Sequence, residues 1–269
     1  MSNSRELPLF NDNWLNLALS KGVCQLDGSG GIYFKTLRVW FRRFPLSNKQ
    51  KRHLKQRLES FNMSNHLGGA NELFWWELMK SFHWSASPIP VSKEGLPDFH
   101  ITSPYEFFCE VTTLNRSEYE KRQLSGREGL SLEHSHDMAR MLTKVTEEKT
   151  EQIRHGHAQK KPSVLVVFDC TFWGGFGTQR FQKLANFLLG NTSEPAILPS
   201  ELSAIVYMDS KFCDGRFIIS GQRSTVYHNP NSQYKLPTTV FQMMRQYLSY
   251  KKELQPTALT SESDYYCWI

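Results

Sequence analysis

The run Ser163–Asp169, Ser-Val-Leu-Val-Val-Phe-Asp, constrains the fold more than any other stretch of the chain. Its apolar centre has neither the alternation of a half-buried strand nor the length of a helix, and its valines favour extended backbone. A strand that is apolar on both sides has to be covered on both sides, which is the condition of an interior strand in an α/β sheet. The surrounding pattern agrees. Beyond residue 70 the chain alternates a helix (residues 70–84), strand-like runs (96–101 and 106–113), a helix (136–155) and the apolar strand. A further helix (181–189), two strands (202–208 and 216–220) and a helix (239–252) complete the series. This order predicts a mixed central β-sheet flanked by helices.

In the first 65 residues, residues 14–19 predict a short helix. Asp27-Gly28-Ser29-Gly30-Gly31 is a break unsuited to a helix or central strand. Residues 32–44 read as extended and aromatic, closed by Pro45. Ser47 has the chemistry of an N-cap for a helix reaching about residue 61, with Leu54 and Leu58 on one face. Residues 62–69 form a polar connection. This divides the chain into a basic, aromatic N-terminal helical extension or subdomain (1–65), an α/β domain (66–255) and a tail (256–269) with Tyr265, Tyr266 and Trp268 as its docking residues. With 39% apolar residues in a chain of 269, there is material for a sizeable core.

Charge is unevenly placed. Lys35, Arg38, Arg42, Arg43, Lys49, Lys51, Arg52, Lys55 and Arg57 occur between residues 35 and 58 without one acidic residue, although the whole chain carries only +6. Interleaved with Trp40, Phe41 and Phe44, they suit either a phosphate-neutralising surface or a solvated helix whose apolar stripe docks on the core. Cys24, Cys109, Cys170, Cys213 and Cys267 are odd in number and contain no Cys-x-x-Cys pair. They argue against a disulfide scaffold or zinc knuckle and for a reducing, cytoplasmic setting. No apolar run is long enough to span a bilayer. His134, His136, His155 and His157 lack helical ligand spacing, and no Gly-x-Ser-x-Gly supports serine catalysis.

Residues 96–101 and 106–113, joined by Thr102-Ser103-Pro104-Tyr105, read as a hairpin. On its second strand Phe107, Cys109 and Val111 point one way; Glu106, Phe108, Glu110 and Thr112 point the other. Asp98 lies near the start of the partner strand, where splaying brings it beside Glu110, and His100 shares its face. Glu72 falls in the first turn of the preceding helix, where the helix dipole alone could account for it.

The succession of a helix with Glu72, a hairpin with Pro97-Asp98 and Glu110-Val111-Thr112, a lysine-bearing helix and an apolar strand resembles the PD-(D/E)XK nuclease superfamily, the restriction-endonuclease-like fold, over about residues 70–168. The resemblance gives the α/β domain (66–255) that fold and implies Mg²⁺ (or Mn²⁺) coordinated by Asp98, Glu110 and the Val111 backbone carbonyl, with Glu72 binding a second ion or orienting water. It implies hydrolysis of DNA phosphodiester bonds, and such folds commonly serve defence against foreign DNA, as homodimers or with partner proteins. Thr112 departs from the pattern by occupying the usual lysine position. Lys149 is the replacement candidate, Lys144 the second, with Gln152 nearby to position phosphate or water. A solvated Lys149 paired with Glu147, Glu148 and Glu151 is the alternative. Phosphate contacts are assigned to Arg38, Arg42, Arg43, Lys51, Arg52, Lys55, Lys160 and Lys161. A fold that lost its lysine and only binds nucleic acid or a protein is the rival reading.

Overall fold

A computed structural model of the chain describes residues 7–21, 29–91, 95–115, 143–170, 188, 198–213, 216–219, 224–242, 248–250 and 265–267. Four helices open the chain: α1 (Asp12–Ser20), α2 (Ser29–Arg43), α3 (Asn48–Leu58) and α4 (Met63–Ser81). Strands β1 (Ser85–Pro88), β2 (Phe99–Ser103) and β3 (Phe107–Leu114) follow. A π-helical turn (Lys144–Glu148) leads into α5 (Thr150–Ala158), then come β4 (Ser163–Asp169), β5 (Ala204–Cys213), β6 (Arg216–Ile219) and β7 (Thr225–His228). The short helix α6 (Thr239–Gln242) precedes β8 (Leu248–Tyr250) and β9 (Tyr265–Cys267).

These strands form one mixed sheet. β1, β2 and β3 are consecutive antiparallel neighbours, and β3, β4 and β5 run parallel. β7 pairs antiparallel with the first half of β5 and carries β8, while β6 and then β9 continue from its second half. Every residue of β4 is buried, because alternate side chains enter different cores. Val164, Val166 and Phe168 pack with α2, α3 and α4; Leu165 and Val167 pack with Val145 and Ile153 on the α5 side. The apolar run thus has both faces covered, as expected of an interior parallel strand.

Several sequence expectations change. Residues 32–43 are helical: Phe34, Leu37 and Phe41 recur every three or four residues and are buried, as is Phe44 just past the end, with Trp40 fully enclosed. Aromatic density imitated a strand, while the spacing was that of a helix. Ser29, Gly30 and Gly31 belong to its first turn. α4 starts at Met63, capped by Asn62, whose side chain accepts from Ser64 and Asn65. The supposed connection 62–69 is therefore helix, and Glu72 sits well beyond the first turn, where the N-terminal dipole no longer accounts for it. A boundary at 65 also cuts through α4, and one apolar cluster joins Leu9 and Phe34 to Phe99 and Phe241. Within 239–252, α6 is a single turn and Leu248–Tyr250 is a strand. Tyr227 and His228 lie in β7, a strand the sequence pattern did not mark. Residues 136–142 of the helix expected over 136–155, all but Leu188 of the one expected over 181–189, and His134 fall outside the described residues. Ser47 does cap α3, in a capping box with Gln50.

Candidate active site

The site grows from the end of the β2–β3 ladder. Phe99 opposite Cys109 is the last registered pair, and Val111, two residues on, directs its N–H toward the β2 side with no strand partner there. Asp98 supplies one: its Oδ2 accepts the Val111 amide at 2.8 Å. The resemblance assigned Val111 through its carbonyl; the contact seen here is made by its amide. Glu110 and Thr112 point to the opposite face from Phe107, Cys109 and Val111, toward α5.

Lys149 reaches this face from the junction of the π-turn and α5. Its own N–H bonds Lys144 O at 3.1 Å and its carbonyl starts the α5 ladder through Ile153 N at 3.0 Å. The extra residue in that turn changes helical phase, a device that often re-aims a functional side chain. The result is a contact of 2.6 Å between Lys149 Nζ and Glu110 Oε1, with side-chain exposures of 22% and 6%. Lys144, the second candidate, pairs with Glu148 instead. Gly95 seats the approach to Asp98 against α5. It has a φ of +61°, and a Cβ there would collide with the Glu151 carboxylate.

From the other side, α4 presents Glu72, whose Oε2 accepts from Arg57 Nη1 at 2.6 Å. Arg57 belongs to α3. It was part of the basic run, but nothing in its spacing singled it out; the contact depends on how α3 and α4 pack. His53, one turn earlier on α3, is exposed and feels both Arg57 and Asp98. Partial desolvation and Arg57 hold its pKa below the ordinary value, and Asp98 pulls it back.

Electrostatics tie these groups together. Burial, then the charge of Asp98, pushes Glu110 up to about 8 against the pull of Lys149. Burial and Asp98 push Glu72 up to about 7 against the pull of Arg57. Asp98 is also raised, by burial, with the Val111 amide, Arg57 and Lys149 opposing. Lys149 is above its ordinary value, since the attraction of Glu110 and Asp98 outweighs desolvation. Three acids that resist ionising together, beside an ammonium held charged, are an arrangement that a divalent cation relieves.

The donor chemistry fits such an ion. Among the described residues no group of three His, Cys, Asp or Glu side chains has a metal-binding arrangement. Mg²⁺ asks less than that, taking one or two carboxylates and keeping several waters. Among the described residues no protein donor reaches the buried Glu110 Oε2, which lies beside Asp98. Gln152, on the first turns of α5, likewise has Oε1 buried and unpartnered.

Other expected members lie apart. His100 pairs with Glu106 at 3.1 Å and stacks on Phe108. His157 contacts Gln233 at 2.7 Å and His155 packs edge-on against Phe108. Thr112 is buried opposite Val167 of β4. The assigned phosphate contacts divide. Lys51 is buried and donates to the carbonyls of Phe41 (2.9 Å) and Arg42 (3.0 Å), closing the C-terminus of α2. Arg38 donates to the carbonyls of Leu9 and Phe10, so both these cations serve the fold. Lys55 pairs with Glu59 and Lys161 with Glu106; Arg42, Arg43, Arg52 and Lys160 are exposed.

The chain matches no protein-family model, no curated protein and no solved structure.

Proposed function

We propose that the chain is a Mg²⁺-dependent nuclease of restriction-endonuclease-like, PD-(D/E)XK type, hydrolysing phosphodiester bonds in DNA. One observation carries the reading. Asp98, fixed by the Val111 amide, and Glu110, paired with Lys149, bring two carboxylates and an ammonium from three separate elements into one partly open site. Stability alone gives little reason to collect them, because crowded carboxylates with raised pKa values cost the folded state free energy.

Asp98 and Glu110 would hold the cation, which when bound acidifies a water and offsets charge on the phosphate under attack. Glu110 presents its unpaired Oε2 while Oε1 stays with Lys149. Lys149 remains cationic and supplies a donor at the same oxygen cluster, the part a lysine at position 112 would have played. The exposed face of α3, with Lys49, Arg52 and His53, leads toward Arg57 and gives a polyanion a positively charged approach.

The test is incubation of the purified chain with plasmid and linear DNA in Mg²⁺ or Mn²⁺, alongside Glu110→Gln. Cleavage by the wild type, abolished by chelator and reduced at least about 100-fold in the variant, is the expected result. Equal cleavage by both proteins, or none by the wild type in either metal, sinks the proposal.

A further inference from the structure

Arg57 is held in a way that ordinary surface arginines are not. Its guanidinium crosses Gly68 of α4, where an added Cβ would lie 2.9 Å from Nη2, so the glycine leaves the path open. Gly69 lets Leu58 pack as closely on the next position, with Cγ 3.1 Å from such an atom, and the two helices are locked at this crossing. Nη1 is engaged by Glu72, and among the described residues Nη2 and Nε have no protein acceptor. The side chain is 27% exposed, and its charge is felt at Asp98 and Lys149. A planar fork with one edge clamped and the other free, beside two carboxylates able to take a cation, suits a bidentate oxyanion.

Resting on the nuclease reading, we infer that Arg57 is the phosphodiester-binding group of this site and that Glu72 is its positioning residue rather than a metal ligand. Glu72 Oε2 is committed to the guanidinium at 2.6 Å, and Glu72 does not join Asp98 and Glu110 in a three-acid cage. The N-terminal helices thereby complete the site: α3 supplies the anion-binding group and α4 its clamp. Arg57 places the non-bridging phosphate oxygens across from the Asp98–Glu110 pair and carries no proton in the reaction.

The test uses the full chain, two binding measurements that do not require turnover, and DNA cleavage by the same variants. The first is the affinity of a 20-base-pair DNA duplex across a salt series in Ca²⁺, for wild type, Arg57→Gln and Arg57→Lys. The second is Mn²⁺ binding by calorimetry for wild type, Glu72→Gln and Asp98→Asn. Arg57→Gln should weaken DNA binding about tenfold and lower the salt slope by about one, because one phosphate contact is lost. Arg57→Lys should keep the slope yet lose at least about tenfold in cleavage, since a point charge cannot replace the fork. Glu72→Gln should leave Mn²⁺ affinity within about threefold while Asp98→Asn abolishes it. Glu72→Gln should also lower kcat with less effect on the metal requirement. Circular dichroism confirms that each variant is folded, and Arg57→Ala with added guanidinium, expected to recover binding, replaces any that is not. An unchanged salt slope in Arg57→Gln, or a tenfold or greater loss of Mn²⁺ affinity in Glu72→Gln, overturns the inference. A wild type that binds DNA and Mn²⁺ in this pattern but cleaves nothing refutes the nuclease reading while leaving the anion subsite standing.

Discussion

Asp98→Asn should inactivate the protein and stabilise it. Glu110 has Lys149 and Glu72 has Arg57, but Asp98 has no cation in ion-pair contact among the described residues. A unit charge about 6 Å away contributes about 3 kcal/mol at an effective dielectric constant of about 20. Arg57 and Lys149 supply attraction of that kind and the Val111 amide adds to it, yet burial, the leading cause of the raised Asp98 pKa, outweighs them. Asparagine keeps an oxygen for the Val111 amide and offers Glu110 an N–H donor, so the substitution removes a cost without orphaning the backbone. The expected gain is about 1–2 kcal/mol at pH 8, a rise in Tm of about 2–6 °C for a chain of this size. Its pH dependence has a definite sign. An acid whose pKa is higher in the folded state destabilises that state above its folded value, and the penalty vanishes below its unfolded value near 4. The advantage of the variant should therefore be full at pH 8 and shrink toward pH 4.5. Thermal unfolding in chelator at both pH values reads this directly. A fall in Tm at pH 8, or a gain of equal size at pH 4.5, refutes the reasoning and makes Asp98 a structural acceptor.

Three other expectations follow from the same geometry. Lys149→Met should lower cleavage at least about 100-fold and raise the pKa of Glu110 further, measurable by ¹³C-carboxyl NMR, because its nearest counter-charge is gone; unchanged titration would place Lys149 outside the site. Mn²⁺ affinity should rise at least about tenfold from pH 6 to pH 8, with proton release, since Glu110 at about 8 gives up its proton as the cation enters; a flat calorimetric profile contradicts this. Lys51→Met should cost about 2 kcal/mol of stability in denaturant unfolding yet leave DNA affinity unchanged, because its ammonium closes α2 from inside the fold; weakened binding in a fully stable variant would return it to the interface.

Much of this was legible where chemistry follows local pattern. The buried β4, the hairpin, the facing of Glu110 and Thr112 away from Val111, and the Ser47 cap all rest on neighbours within a few residues. Lys149 was a candidate through the resemblance, but no periodicity predicts the π-turn that aims it past Glu147, Glu148 and Glu151 to Glu110. Arg57 was hidden for a related reason. A basic run carries no sign of which member turns inward, and here that is settled by α3 crossing α4 at Gly68 and Gly69. The same run misled at Arg38 and Lys51, whose charges satisfy carbonyls within the N-terminal helices. Residue type in α2 suggests a strand, whereas its apolar spacing is that of a helix, and spacing decides burial.

Crystals of the wild-type chain soaked in Mn²⁺ and measured at the manganese absorption edge would test the account at its centre. The predicted result is one anomalous peak bonded to a carboxylate oxygen of Asp98 and to Oε2 of Glu110 at about 2.2 Å, with Lys149 still on Oε1 and Glu72 still on Arg57. An absence of density between Asp98 and Glu110 at saturating Mn²⁺, or a peak held by other residues, would contradict it.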